Sequence, residues 1–205
     1  SLFATCEMTE AELALKALCC LEGRDFITPL RKGEAGAMDN VLLAANTQAT
    51  ILNRLLIKTS RSIDDVCADA HKISRSAQIG CVVVDYLTSF SAPGGSRLEN
   101  RTLEVGAVSN ECKAMAQRLR CVVLAASQLN RAAKASIKPQ AHHLRDSGCI
   151  EQDADGILLL YRPDHEDKEA TAQLLLAKNR WGELGAIDVV PDLGNHRFGW
   201  SSNRD

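Results

Sequence analysis

The chain has 205 residues, 45% hydrophobic and 24% charged, with a formal net charge of −2, which is the balance of an ordinary soluble protein long enough to bury a sizeable core. The near-neutral total gives no global sign of a nucleic-acid partner. No apolar run approaches membrane-spanning length, and the first residues do not read as a signal peptide.

Cysteine usage narrows the class further. There are eight cysteines and no Cys-x-x-Cys pair, so zinc-ribbon spacing is absent. Cys81 and Cys121 open apolar runs, where cysteine behaves as a small hydrophobe. Reduced thiols in a cytoplasmic protein are expected.

Ser1-Leu2-Phe3-Ala4 reads as the end of a strand, followed by Glu7 at its tip. Thr9-Glu10-Ala11-Glu12 is a capping box that starts a helix, and Gly23 ends it. Taken alone, Glu7 is simply a favourable charge near a helix N-terminus. Residues 24–50 read as loop and helix, with helix over 38–49, and a short strand is expected around Leu55-Leu56-Ile57. Ser62-Ile63-Asp64-Asp65 looks like another helix start. Ile63, Val66, Cys67, Ala70 and Ile73 then recur at helical spacing, leading into a crossover to the next strand.

That strand, Cys81-Val82-Val83-Val84-Asp85, is a continuous apolar run and is expected to be buried on both faces of a parallel sheet. It ends in an aspartate, and ligands of open α/β sheets sit at strand carboxyl ends. Four apolar residues followed by Asp is also the pattern that holds magnesium through water in nucleotide-hydrolysing enzymes. The loop from Ser91 to Ser96 is expected to be mobile. Val105, Val108, Cys112, Met115 and Leu119 form one helical stripe of core type. The strand beginning at Cys121 ends in Ser127-Gln128, where a glutamine could hydrogen-bond a terminal phosphate beside Asp85.

Between residues 112 and 145 there is no acid, while Lys113, Arg118, Arg120, Arg131, Lys134, Lys138 and Arg145 all fall there. A locally basic face of this kind can bind a polyanion or can simply be solvated. Residues 131–143 read as a basic, flexible segment. The next twelve residues, 144–155, read Leu-Arg-Asp-Ser-Gly-Cys-Ile-Glu-Gln-Asp-Ala-Asp and hold four acids, an arginine and a Ser-Gly break. They predict a loop that meets something charged, then a short helix, then a strand over 156–161. A further strand over 172–178 ends in Lys178-Asn179-Arg180, and 185–191 returns as an antiparallel hairpin partner. Lys178 and Arg180 have alternate positions on an extended backbone, so both point the same way; such a pair suits either a phosphate or a solvated hairpin tip.

Together these motifs resemble the C-terminal motor domain of DnaB-type replicative helicases, a RecA-like family. The matching pieces are Cys6-Glu7-Met8, Val82 to Leu87, Glu99-Asn100-Arg101, Ser127 to Arg131, residues 144–155 and Ala177 to Arg180. The resemblance implies a RecA-like P-loop NTPase core over residues 1–205, α/β in class, with a mostly parallel central sheet flanked by helices and a C-terminal antiparallel hairpin. It implies ATP and Mg²⁺ as cofactors. Glu7 would polarise the attacking water, Asp85 would bind Mg²⁺ through water, and Gln128 would sense the γ-phosphate. Lys178 and Arg180 would enter the ATP site of a neighbouring subunit. Arg145, Asp146 and Gly148, with Arg131, Lys134 and Lys138, would hold single-stranded DNA. Implied partners are single-stranded DNA, further copies of the chain in a ring, expected to be a hexamer, and also primase and a helicase loader.

One departure is clear. The family's Gly-x-x-x-x-Gly-Lys-[Ser/Thr] phosphate loop occurs nowhere in the 205 residues. Truncation of a longer protein within a strand is the expectation, and the polypeptide as given is expected to be ATPase-deficient. Two alternatives stand beside the helicase: a RecA-like ATPase of recombination or clock type, and a non-catalytic nucleic-acid-binding module that lost the ATP loop.

Overall fold

The computed structural model describes residues 1–95, 100–130, 138–144, 147–163 and 170–200. Strand β1 (Leu2–Thr5) opens the chain, and helix α1 (Glu10–Glu22) follows. The Thr9 hydroxyl accepts the Glu12 N–H at 3.2 Å and the Glu12 carboxylate accepts the Thr9 N–H at 3.0 Å, so the expected capping box is complete. Gly23 closes the helix in the left-handed region (φ 63°), where a side chain is strained.

Three short helices come next: α2 (Ile27–Arg31), α3 (Ala37–Thr47) and α4 (Ala49–Leu52). They pack with α1 into a satellite core of Leu18, Cys19, Phe26 and Ala44. Then β2 (Leu56–Thr59), α5 (Ile63–Ser74), β3 (Cys81–Asp85), α6 (Arg101–Leu119) and β4 (Val122–Ala125) build the α/β half. Its strands are all parallel in the order β2-β1-β3-β4, with Thr5 beside Thr59 on one side and Asp85 on the other.

Leu2, Ala4, Val82 and Val84 are fully buried against Ile63 and Val66 of α5 and Val105, Val108 and Met115 of α6. Each such side chain contributes roughly 1.5–3 kcal/mol relative to exposure. The expectation that β3 is buried on both faces is corrected here: burial alternates along it, and Cys81 and Val83 are only half-buried. On the same face of β4, Val122 and Leu124 are 63% and 54% exposed. The physical reason is one-sided layering. Helices α5 and α6 cover one face, while α1 packs alongside β2 and spends its apolar side on the satellite core.

The second half is α7 (Ser147–Asp153) and an antiparallel sheet of β5 (Gly156–Tyr161), β6 (Ala172–Asn179), β7 (Gly185–Asp192) and β8 (Arg197–Trp200), in sequence order. The hairpin of β6 and β7 is therefore the centre of a wider sheet. Ile157 and Leu159 of β5 join the main core. Helix α7 lies so close to α6 that a Cβ on Gly106 would stand 2.9 Å from the Cys149 Sγ. The loop after β3 is hydrogen-bonded at two points. The Ser91 N–H donates to the Arg61 carbonyl at 2.7 Å and the Gly94 N–H to the Asp64 carboxylate at 2.7 Å; residues 96–99 lie outside the described residues.

Candidate active site

Parallel register alone brings two of the predicted acids together. Thr5 and Asp85 are neighbours across β1 and β3, and Glu7 lies two residues past Thr5. Thr5 is fully buried, and its hydroxyl accepts the Glu7 N–H at 3.3 Å, which ties down the backbone where Glu7 leaves the sheet. Glu7 is exposed and Asp85 half-buried. Desolvation pushes the Asp85 carboxyl above the usual aspartate range, the Glu7 charge pushes it further, and Lys16 opposes both. Lys16 comes from α1 and its ammonium lies 3.3 Å from the Met8 sulfur. The site is thus an acid pair in mutual repulsion with one partial counter-charge, which favours a divalent cation.

Gln128 is exposed where the chain leaves β4. The Ala126 N–H donates to the Val84 carbonyl and the Leu87 N–H to the Ala126 carbonyl, both at 2.9 Å. These bonds hold the exit of β4 against the exit of β3, and Gln128 follows two residues after Ala126. Beside it, the Ser127 hydroxyl is buried with no hydrogen-bond partner among the described residues. A buried, orphaned hydroxyl has unmet bonding capacity. Together with the under-compensated carboxylates it fits a bound metal–phosphate group. Among the described residues, no cluster of three or more His, Cys, Asp or Glu could hold a metal unaided; magnesium commonly keeps water ligands and needs few protein ones.

Lys178 and Arg180 are elsewhere. The Lys178 ammonium donates to the Glu151 carbonyl at α7, and the Arg180 guanidinium donates to the Asp155 carboxylate at 2.9 Å. The Arg180 N–H also donates to the Asp155 carbonyl at 2.9 Å. Lys113 of α6 pairs with the second Asp155 oxygen. Its hydrogen bond holds the Asp155 carboxyl below the usual range, and the charges of Lys113, Arg180 and Lys178 add to this. Among the described residues no hydrogen bond, ion pair or charge contribution links this cluster to Glu7 or Asp85.

Two cations of the acid-free span are paired with acids. Lys113 is paired with Asp155 and Arg118 with Glu111, because acids just outside the acid-free span fold back onto it. Arg131, Lys134, Arg145 and Asp146 lie outside the described residues. Lys138 is exposed and His143 is buried. His143 accepts the Gln140 N–H on Nδ1 at 3.1 Å, and its carbonyl accepts the Asn130 N–H at 2.7 Å. Leu129 and Leu144 form an antiparallel bridge, so the two ends of the segment are pinned together. Gly148 is exposed on α7, and a Cβ there would meet nothing within 4 Å; no internal packing requires glycine at this position.

Sequence reasoning missed Lys16 and the roles of Lys113, Ser127 and Asp155. For Lys16 a signal existed: it lies two helical turns beyond Thr9, on the face that begins at the cap. For Lys113 and Asp155 none did, since they are 42 residues apart.

A parallel sheet with acids at adjacent strand ends, joined to an antiparallel sheet that presents paired cations, is the architecture of RecA-like ATPase domains. The chain belongs to the family of DnaB-like helicase C-terminal domains, whose model matches residues 1–199. It is 32% identical over 206 residues to the replicative DNA helicase DnaB of Mycobacterium intracellulare, covering 97% of this chain and 35% of that protein. It is 30% identical over 192 residues to DnaB of Geobacillus stearothermophilus, covering 90% of this chain and 42% of the relative. The chain therefore spans between about a third and two fifths of these relatives. Among solved structures, a DnaB-like replicative helicase studied with primase superposes with a TM-score of 0.84 at 25% identity, over 98% of this chain and 50% of that one. A second solved structure, of an ATPase domain, gives the same score and identity over 98% of this chain and 74% of that one. No helix among the described residues is long and apolar enough to cross a membrane.

Proposed function

We propose that these 205 residues belong to the motor domain of a ring-shaped, ATP-dependent replicative DNA helicase, with each ATP site of the parent protein shared between two subunits. The observation that carries this is the separation of charges. Glu7 and Asp85 repel one another at the parallel strand ends, while Lys178 and Arg180 are held apart on the second sheet. An acid pair countered only in part by Lys16 in one place and two cations presented in another complement each other across a subunit boundary.

Asp85 would hold Mg²⁺ through water, and the ion when bound neutralises phosphate charge. Glu7, exposed beside it, orients the attacking water and accepts its proton. Gln128 donates its amide N–H to the terminal phosphate from the strand bonded alongside Asp85. Arg180 and Lys178 bring positive charge to the transition state; an arginine of this kind contributes roughly 10³–10⁵ in rate in related phosphoryl transfer. Residues 131–148, pinned at their base by the Asn130–His143 bond, contact single-stranded DNA through Arg131, Lys134, Lys138, Arg145, Asp146 and Gly148. Six copies form the ring, and primase and a loader dock on the assembled protein in the cytoplasm.

The test is ATPase and forked-duplex unwinding by the full-length protein carrying Glu7→Gln or Arg180→Ala. Both variants should lose turnover and unwinding. Near-wild-type rates in both would sink the proposal.

A further inference from the structure

We infer that Asp155 is the positioning residue for Arg180. The inference rests on the reading of Arg180 as a group that acts in the neighbouring subunit's site. Arg180 follows directly after β6, at a strand end where its frame is what its side chain and backbone can bond. Asp155 supplies both: its carboxylate accepts from the guanidinium and its carbonyl accepts from the Arg180 N–H, each at 2.9 Å. The other carboxylate oxygen is taken by Lys113, which fastens the carboxylate to the long helix α6. One guanidinium nitrogen is thereby oriented in its own subunit, and the remaining N–H groups have no partner among the described residues. A forked donor held by one edge and open on the other is arranged to meet a phosphate.

Asp155 is itself placed by α7, which ends two residues before it. The helix is short. It is seated on α6 through the close Gly106–Cys149 approach and the buried Ile150. A change that shifts α7 on this seat therefore shifts the Asp155 carboxylate and the guanidinium it holds. Misplacing a catalytic group by about 1 Å costs on the order of 10²-fold, so a modest shift can switch turnover.

The experiment compares Asp155→Asn, Arg180→Ala and the double variant in the full-length protein, measuring kcat and KM for ATP with and without single-stranded DNA, alongside thermal melting. Asp155→Asn should lower DNA-stimulated kcat by roughly 10–100-fold, with KM for ATP within about 2-fold. Melting should move by no more than a few degrees, as for a solvent-screened ion pair. The double variant should be no slower than Arg180→Ala alone, because a residue that acts through another adds nothing once that other is gone. Additive losses in the double variant would overturn the inference, as would a normal kcat in Asp155→Asn while Arg180→Ala is inactive. In that last case the trans-acting role of Arg180 survives. A near-normal Arg180→Ala would instead remove that role and the inference with it. Two further variants keep the test decisive if Asp155→Asn folds poorly. Asp155→Glu keeps the charge but displaces the guanidinium, and should lose kcat with an unchanged melting temperature. Lys113→Met leaves the Asp155–Arg180 bond in place and should retain most of the activity; a loss equal to that of Asp155→Asn would mean that Asp155 merely anchors α6, which overturns the inference.

Discussion

Two aspartates at the two strand-end clusters sit in opposite electrostatic states. Asp85, at the end of β3, is raised above the usual range by desolvation and by Glu7, with only Lys16 against them. Asp155, ahead of β5, is lowered by Lys113 and then by Arg180 and Lys178. The parallel half thus carries unfavourable charge, and the antiparallel half is electrostatically satisfied. The contrast fits a split site in which one half receives the metal and nucleotide and the other delivers an oriented cation. Strain of this kind at a binding site is offset by packing elsewhere, here by the buried faces of β1 and β3 on α5 and α6.

The largest expected effect separates chemistry from stability. Arg180→Ala should reduce ATP turnover by roughly 10³-fold or more, and Glu7→Gln should be similarly inactive, while circular dichroism melting of both stays close to wild type because both side chains are exposed. Mixing the two inactive variants should restore part of the activity, since each then supplies what the other lacks at a shared boundary.

The seat of the antiparallel half can be broken next. Gly106→Val should destabilise by about 1–3 kcal/mol through overpacking against α7, read as a lowered urea midpoint, because its Cβ would stand 2.9 Å from the Cys149 Sγ. Gly106→Ala should cost less, since the gain in helix propensity of about 1 kcal/mol offsets part of the clash. Gly23→Ala should cost about 1–2 kcal/mol. Its backbone has φ 63°, and its Cβ would run into the Arg197 guanidinium, 2.3 Å away at the nearest atom.

The smallest effects are the most direct test of the contrast, because their signs differ. Asp85 has a folded pKa above its unfolded one. Its ionised form therefore weakens folding, and the cost is relieved as pH falls through the folded pKa. Asp85→Asn should raise the melting temperature near neutrality, and the gap to wild type should close as pH falls through that raised pKa. Asp155 has a folded pKa below its unfolded one, so its contribution is present above the unfolded value and is lost as pH falls through the folded one. Asp155→Asn should lower the melting temperature near neutrality by a few degrees at most. That gap should close only in more acid solution, below the ordinary carboxylate range. Melting curves from about pH 3 to 8, a window set by reference carboxylate values of about 4, would decide this; equal signs for the two variants would refute it.

Much of the fold could be read without coordinates. The Thr9–Glu12 capping box, the left-handed stop at Gly23, the β3 run ending in Asp85 and the α6 stripe of Val105, Val108, Cys112 and Met115 all occur as expected. Each depends on partners three or four residues apart, or on a backbone period that the residues themselves impose. Parallel order then followed from alternating helices and strands, which was enough to predict acids at strand ends.

What the tertiary structure decided is which charges meet. Lys113, Asp155 and Arg180 pair over separations of 42 and 25 residues, and no local pattern encodes a partner at that distance. The open face of β3 and β4, with Val122 and Leu124 exposed, was equally invisible, because a run of apolar residues specifies a preference for burial but not the layer that provides it. Residue type and spacing determined the elements and the chemistry at their ends. Topology determined that Glu7 and Asp85 meet with only Lys16 against them and that Arg180 is held by Asp155, since electrostatic partners are chosen by proximity in space.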